Sequence, residues 1–381
     1  MKRIALVLLI IMVLTAVPAM AQPEGVGEGQ TPPGLDINGE GEPAQFAKAR
    51  VVSMVEITEQ ESYDEFGYQI RTFDTELLIL TGNFRGRTVD IKHFLTGTPA
   101  YDVVVKTGDR VLVAIETVEG ELEEVVIADH ERDRYLYALG ALFALLLVGL
   151  GGMRGLKSLL SLLLVGILIL YFFIPLLLRG YSPLILAVLV AAIATIFTIS
   201  LVGGPNSKSA AAIVGTVGGV LVAGILAVVV GNLIRVSGLA EQEAQMLLFI
   251  PQGIGFNFPG LLMSGIIIGA LGAVMDVGMS IASAIAEVKH HNPALSHTDL
   301  FWAGMNVGRD IMGTMANTLI LAYTGGALSL LLLVRAYEIE FIRLINMDAI
   351  ASEVLRALAG SVGLVATIPI TALAAAWLAK E

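Results

Sequence analysis

Residues 135–153 read YLYALGALFALLLVGLGGM, without one charged side chain. A helix of this length crosses the hydrocarbon core of a bilayer, which takes about 20 apolar residues. Further apolar runs of similar length lie at 157–178, 183–202, 211–233, 259–283, 311–334 and 357–379. The sequence therefore predicts an α-helical polytopic membrane protein with about seven transmembrane helices, within residues 131–381.

The composition also favours a membrane protein. Hydrophobic residues make up 56% of the 381 residues and charged residues 15%, against about 25% charged residues in soluble domains. Residues 1–134 carry 12 Lys and Arg against 23 Asp and Glu, whereas residues 135–381 carry 11 of each. The acidic first part repels nucleic acid, which we exclude as a partner. The chain has no cysteine, which excludes disulfides and thiol chemistry.

The first 43 residues predict a signal peptide and a linker. In residues 1–21, Lys2 and Arg3 precede an apolar run, and Ala19-Met20-Ala21 has the small residues of a cleavage site. Residues 22–43 hold four prolines, several glycines and mostly acidic charge, which is typical of a flexible linker. Whether residues 1–21 are cleaved off or kept as an anchor helix, the segment that follows them is predicted to lie outside the cytoplasm.

Residues 44–130 alternate short β-branched runs with Gly and Asp. The runs lie at 51–55, 76–80, 88–91, 102–105 and 110–115. Five or six such strands are typical of a small β-barrel or β-sandwich. We therefore predict an extracytoplasmic all-β domain ahead of the membrane helices. With that domain outside, seven crossings leave the C-terminus in the cytoplasm.

Two segments between the apolar runs are too short or too polar to span a bilayer. Residues 240–258 contain the run 246–250 before Pro251 and Gly253, and predict either an interfacial helix or a re-entrant hairpin. Residues 335–356 mix Glu, Arg and Asp with Leu and Ile, and predict an amphipathic surface segment on the outer side.

Three GxxxG pairs predict where helices approach closely. They are Gly215/Gly219, Gly265/Gly269 and Gly304/Gly308. Small residues at this spacing allow two membrane helices to pack backbone against backbone. The first two pairs lie deep in apolar runs and suit tight helix pairs.

Two polar stripes interrupt the apolar region at helical spacing. One consists of Asp276, Ser280, Ser283 and Glu287, and the other of Asn306, Asp310, Thr314, Asn317 and Thr324. Residues spaced in this way share one face of a helix. A carboxylate in hydrocarbon costs at least about 2.5–3.5 kcal/mol, so it faces a partner, a cavity or a pathway. We predict a polar seam between the fifth and sixth spans, with Arg309 as charge balance.

The stripes are open to three interpretations. In the first, they line a pathway for an inorganic cation or proton, which Asp276 and Asp310 bind with help from hydroxyl and amide oxygens. In the second, the seam only packs helices, because Ser and Thr bond their own helix backbone. In the third and most remote, the two aspartates are those of an intramembrane aspartyl protease. Arg309 stands where that protease pattern has Gly, which weakens the third interpretation.

Other chemistry has little support in the sequence. His290, His291 and His297 are weak candidates for metal ligands, because a solvated loop containing Asn292-Pro293 explains them better. No Walker loop, GxSxG or HExxH motif occurs. We therefore predict no enzyme activity, no cofactor and no metal site.

The two longest polar motifs resemble the YibE/F-like family of bacterial membrane proteins. They run from Met275 to Ile285, with His291-Asn292-Pro293 following, and from Gly304 to Tyr323; Lys208–Thr216 is a third match. The resemblance implies a multi-pass protein of the bacterial plasma membrane with an extracytoplasmic β domain. It implies no catalytic residues.

These observations together predict a permease-like protein that performs ion- or proton-coupled transport through the seam. Its candidate residues are Asp276, Ser280, Ser283, Asn306, Arg309, Asp310, Thr314 and Asn317. The alternative is a non-transporting envelope scaffold or assembly protein whose β domain binds a protein partner.

Overall fold

The computed structural model of the chain describes residues 44–57, 62–63, 69–98, 100, 102–118, 120–250 and 255–379. The predicted signal peptide and linker lie outside these residues. The chain divides into two compact units, Met1–Ala144 and Leu145–Glu381. Each unit contains a hydrophobic core of its own.

The first unit contains the β domain. Its strands are β1 (Gln45–Glu56), β2 (Ser62–Tyr63), β3 (Gln69–Ile79), β4 (Thr88–Leu95), β5 (Arg110–Val118) and β6 (Glu121–His130). The pairing is antiparallel: β4 pairs with β3, β3 with β1, β1 with β5, and β5 with β6, while β2 pairs with the start of β3. Because β4 also approaches β6, the five long strands form a nearly closed barrel. The predicted all-β domain is confirmed, and it is a barrel.

Alternating side chains fill the barrel. The inward residues of β1 and β5 are small or β-branched and are buried: Ala47, Ala49, Val51, Val111, Val113 and Ile115. One strand prediction is wrong, because Asp102–Val105 forms no strand. The Asp102 carboxylate instead accepts hydrogen bonds from the backbone N–H groups of Thr96 and Gly97, at 2.6 and 2.7 Å. These bonds hold the segment in a loop.

His93 of β4 is a buried titratable group in the barrel. Its side chain is 7% exposed, and its Nε2 lies 2.9 Å from the carbonyl oxygen of Val103. Burial lowers the pKa of His93 because the imidazolium loses hydration; the hydrogen bond to Val103 and the charge of Asp102 act in the opposite direction but are weaker. The unfolded chain therefore binds this proton at a higher pH, near 6.5, than the folded barrel does.

We expect the barrel to lose stability as the pH falls below about 6.5, because protonation then favours the unfolded state. His93→Gln keeps an N–H donor for Val103 but cannot titrate, so it should flatten this dependence. Hydrogen exchange of β4 and β5 amides in the full chain, corrected for intrinsic exchange rates, measures the effect. His130→Gln is the matched control. An equally steep loss of protection in His93→Gln would contradict the assignment.

The helical part begins at the end of β6. α1 (Asp133–Leu168) continues through a π-helical turn (Ile169–Phe173) into α2 (Ile174–Leu178). The other helices are α3 (Pro183–Gly203), α4 (Ser207–Ile234), α5 (Gln242–Met246), α6 (Phe258–His291), α7 (His297–Gly326), α8 (Leu328–Ala336), α9 (Phe341–Leu344) and α10 (Asp348–Leu378). Within the described residues, five segments are long and apolar enough to cross a membrane: Asp133–Leu178, α3, α4, α6 and α10. α7 and α8, bent by 61°, make a sixth if they form one span.

A break at Gly152 interrupts the longest of these segments. Asp133–Leu178 has 46 residues, about 69 Å of helix and more than twice the hydrocarbon thickness. Gly152 has φ 55° and ψ −131°, a conformation that glycine tolerates and other residues resist. Beyond it, a Cβ on Gly155 would collide with the backbone of Leu147. The predicted count of seven spans treats the two sides of this break separately and stays a prediction.

One helix boundary differs from the sequence analysis, and one segment keeps both of its predicted alternatives. Residues 240–250 contain the short helix α5 and a 3₁₀ turn at Leu247–Phe249, while 251–254 lie outside the described residues, so the choice between an interfacial helix and a re-entrant hairpin stays a prediction. α10 begins at Asp348, nine residues before the predicted apolar run. Glu353 and Arg356, which were predicted to lie in a surface segment, therefore lie in the first turns of a long helix.

Two of the three GxxxG pairs pack against a neighbouring helix, and the third does not. Gly215 and Gly219 of α4 lie against Thr371 and Thr367 of α10, and Gly304 and Gly308 of α7 lie against Ala372 and Ile368 of the same helix. Gly265 has open space where its Cβ would be. A Cβ on Gly269 would meet the side chain of Tyr323 on α7, whose hydroxyl would lie at 2.6 Å, and not the backbone of a neighbouring helix among its nearest atoms. The prediction of a tight helix pair is confirmed at Gly215/Gly219 and wrong at Gly265/Gly269.

Candidate functional site

The polar stripe on α6 lies on the side of that helix that faces away from the packed core. Asp276, Ser280 and Glu287 are exposed and Ser283 is half-buried. The opposite side of α6 is buried, including Val274, Gly278, Ile281 and Ile285. At one end, Ile285 packs on Gly304 of α7, so α6 contacts α7 there through the side opposite the stripe.

The polar stripe on α7 is also open. Only Leu300, Gly304, Gly308 and Leu319 are buried on this helix. The predicted residues are all exposed: Asn306, Arg309, Asp310, Thr314, Asn317 and Thr324. The predicted seam between the two helices is therefore not a buried one. The reason is that α7 packs its glycine side on α10, which turns its polar side outward.

Few contacts engage these polar side chains. Arg309 donates a hydrogen bond to Oδ1 of Asn306 at 3.1 Å and lies 5.5 Å from the centre of the Trp302 ring. Thr314 donates to the backbone oxygen of Ile311. In the described part of the chain, neither aspartate of the two stripes has a hydrogen bond or an ion pair. The predicted neutralisation of a stripe carboxylate by Arg309 is therefore wrong.

The three candidate histidines do not form a metal site. His297 Nδ1 lies 2.5 Å from the carbonyl oxygen of Ala376, which ties the start of α7 to the end of α10. His291 Nδ1 lies 3.6 Å from a carboxylate oxygen of Glu287, and both side chains are mostly exposed. Among the residues that the structure describes, no three His, Asp or Glu side chains converge as metal ligands would.

The stripe on α6 is longer than the sequence analysis supposed. Exposed glycines continue it toward the start of the helix, so that one open face of α6 consists of Gly265, Gly269, Gly272, Asp276, Ser280, Ser283 and Glu287. From Gly265 to Glu287 this face is about 33 Å long at 1.5 Å per residue. That length matches the hydrocarbon thickness of a bilayer.

A cavity of about 480 Å³ lies at the glycine end of this face. Its walls come from α6, the start of α10, residues 238–244, α8 and the π-helical turn, which contributes Phe173. Short π-helical turns are frequent at functional sites. We call it the Glu353 cavity, after the carboxylate that distinguishes it from the surrounding apolar surface.

Three charged side chains line the Glu353 cavity. Arg356 donates a hydrogen bond to Glu241 at 2.6 Å and forms an ion pair with Glu353, with an N–O distance of 3.1 Å. Glu353 and Arg356 are only 23% and 21% exposed, whereas Glu241 is 54% exposed. Two carboxylates therefore share one guanidinium, and with both carboxylates ionised the group carries one excess negative charge.

Polar atoms near these charges lack partners. Ser352 is 3% exposed, lines the cavity and has no hydrogen-bond partner for its Oγ in the described residues. The same holds for Nε of Arg356 and for the hydroxyl of Tyr323, which lies against Gly269. A buried polar atom without a partner costs about 1–3 kcal/mol, so such atoms mark a place that a ligand or water occupies.

The sequence analysis missed this cavity. Two of its three charged residues, Glu353 and Arg356, fall in 335–356, which the hydropathy pattern assigned to a surface segment. The third, Glu241, is 115 residues from Arg356. The available signal was local: Glu353 and Arg356 are spaced i, i+3, as an ion pair on one face of a helix would be.

The comparisons with known proteins identify a family. Residues 139–381 match the YibE/F-like protein family, and residues 44–130 match the YibE/F family N-terminal domain. The chain therefore belongs to the YibE/F-like family. No curated protein and no solved structure matches it.

Proposed function

We propose that this YibE/F-like protein is a permease of the bacterial plasma membrane that moves a small solute along the open face of α6. The observation that carries the proposal is the continuity of that face. It begins at the Glu353 cavity, passes Gly272 and Asp276, and ends at Glu287, over about the thickness of a bilayer.

The residues of the face suit an ion- or proton-coupled pathway. Glycines leave the backbone open to a passing solute. Asp276 offers a carboxylate that can bind a proton or a cation, and Ser280 and Ser283 offer neutral oxygens beside it. On α7, Asp310, Thr314 and Asn317 offer the same chemistry on a second open face. An unpaired carboxylate facing lipid alone would be costly, which favours water at these positions.

The proposal also assigns a topology. Asp133–Leu178 crosses the membrane twice, with its turn at Gly152, and α7 with α8 makes one further span. Seven crossings then place the β domain outside and the C-terminus in the cytoplasm. The apolar lengths and the break at Gly152 support this arrangement.

Thiol labelling tests the pathway, because the native chain has no cysteine. Single cysteines replace Gly265, Gly272, Asp276, Ser280 and Ser283 on α6, and Asp310 and Asn317 on α7. The controls are Leu189→Cys and Ile196→Cys on α3, two exposed apolar positions that face lipid in this proposal. We expect a membrane-impermeant maleimide to label the α6 positions in proteoliposomes at least about tenfold faster than the controls, because a thiol reacts only as the hydrated thiolate.

The labelling pattern separates the alternatives. Labelling of the α6 positions well above the α3 controls means a hydrated path along one helix face. Protection of both open faces, at the level of the α3 controls, would overturn the proposal. It would favour the scaffold alternative, in which the β domain binds an envelope partner and the faces pack against protein or lipid.

A further inference from the structure

We infer that the Glu353 cavity binds an amphiphilic organic ammonium ion, which is the solute that the protein transports. The inference rests on the proposed function for the transport step only. The binding site itself is argued from the charges, the unpartnered atoms and the walls of the cavity.

The charge of the site selects a cation. Glu241 and Glu353 bring two negative charges and Arg356 one positive charge. No other charged residue lines the cavity within the described part of the chain. Asp348, at the start of α10, is engaged by the backbone N–H and hydroxyl of Ser237. A half-buried group with one excess negative charge is stabilised when a cation binds beside it. An anion in the same cavity would be repelled by the two carboxylates.

The unpartnered hydroxyl selects a cation that donates hydrogen bonds. Ser352 precedes Glu353 in α10, lines the same cavity, and has a buried Oγ without a hydrogen-bond partner in the described residues. An ammonium group has up to three N–H donors. We expect it to donate to the Glu353 carboxylate and, once the Ser352 hydroxyl rotates toward the cavity, to Ser352 Oγ as well.

The walls select an apolar body. Leu261, Leu262 and Ile268 of α6 and Leu330 of α8 are among the lining residues, and so is the aromatic Phe173. Aromatic rings attract cations through their faces. The volume of about 480 Å³ is within the roughly 300–1,000 Å³ of small-molecule sites. A hydrated inorganic cation would leave these walls unused, whereas an amine with an apolar body fills them.

Binding of dansylcadaverine to the purified full chain in detergent tests the inference. This probe has a primary ammonium and an apolar fluorophore whose emission rises in apolar sites. Two related probes keep the five-carbon chain and vary only the charged end: N-pentyl dansylamide is neutral and 6-(dansylamino)hexanoate is an anion. We expect dansylcadaverine to bind at least about tenfold more tightly than either, since every tenfold is about 1.4 kcal/mol.

Two substitutions test whether the probe binds in the Glu353 cavity. Glu353→Gln should weaken dansylcadaverine binding at least tenfold and abolish the preference over N-pentyl dansylamide. Ser352→Ala keeps every charge and should weaken binding about threefold to tenfold, as loss of one ordinary hydrogen bond does. Glu340→Gln removes one carboxylate from an exposed position outside the cavity and should bind as the native chain does. Size-exclusion profiles in detergent establish that each variant is folded.

The outcomes are decisive and separate from those of the transport proposal. Equal affinity for the three probes would overturn the inference, and so would native affinity in both cavity variants. Because binding is measured in detergent without a gradient, it does not depend on transport. Binding without uptake into proteoliposomes would retain the site and reject the permease, whereas protected thiols on α6 would reject the pathway alone.

Discussion

Gly219→Leu is expected to abolish the folded protein, because α4 and α10 touch backbone to backbone at this position. A Cβ on Gly219 would collide with Oγ1 of Thr367 and lie 2.8 Å from the carbonyl oxygen of Gly363. A Cβ on Gly363 would in turn lie 2.7 Å from the carbonyl oxygen of Gly219. The two glycines therefore face each other, and neither helix can yield by rotating a side chain.

The expected cost is large for this reason. Overpacking of a core by a few methylenes already costs about 1–3 kcal/mol. Here the obstacle is backbone at the centre of the helical unit, so we expect more than about 4 kcal/mol, which is a large part of the stability of most domains. The measurement is the yield of monodisperse protein by fluorescence-detected size exclusion, with a C-terminal fluorescent fusion.

Gly313→Leu is the matched control. Gly313 also lies within a predicted membrane run, on α7, but its Cβ would have open space. Its variant should give a yield close to that of the native chain, since leucine is also the better helix former. Equal yields of the Gly219 and Gly313 variants would mean that α4 and α10 are not packed as described.

The sequence predicted those parts of the fold that follow from local patterns of apolar and β-branched residues. Apolar runs of sufficient length located the long helices, and β-branched runs between Gly and Asp located most strands. The run Asp102–Val105 failed because a local pattern cannot show that its aspartate bonds the loop of Thr96 and Gly97. The runs 135–153 and 157–178 predicted an interruption next to Gly152, but not the glycine at which the helix breaks, since glycines at other positions lie in unbroken helices.

The candidate site could be predicted only in part. The spacing of Asp276, Ser280 and Ser283 correctly placed them on one face of α6. It could not give the direction of that face, because the apolar sides that pack on protein and on lipid have the same composition. The same limitation explains why Gly265/Gly269 and Gly215/Gly219 share a motif while only the second pair packs on a helix.

The Glu353 cavity illustrates a second limitation. Charges lower the hydropathy of a window, so the first turns of α10 had the signature of a surface segment. In the fold, Arg356 is paired with Glu353 one turn away and with Glu241 on a distant loop. Pairing of this kind allows a charged turn to be half-buried, and it depends on a contact that no local pattern contains.

Gly272→Trp is expected to stop transport while leaving solute binding intact. Gly272 lies on the open face of α6, between the Glu353 cavity and Asp276, and a Cβ there would meet nothing within 4 Å. The fold should therefore accept the change, and the helix gains from the loss of glycine. The indole would occupy the path that the proposed function assigns to the solute. Gly272 does not line the cavity, so the affinity for dansylcadaverine should stay native.

Uptake of dansylcadaverine into proteoliposomes under a pH gradient measures the effect. We expect the initial rate to fall at least about tenfold in Gly272→Trp, or about 1.4 kcal/mol in the barrier. Leu189→Trp on α3 adds the same indole to an exposed apolar position and should leave the rate unchanged. Native uptake in Gly272→Trp would exclude the open face of α6 as the route. Loss of uptake together with loss of binding would mean that the indole had disturbed the cavity, and Gly272→Leu, with a smaller side chain, would then decide whether the path itself is blocked.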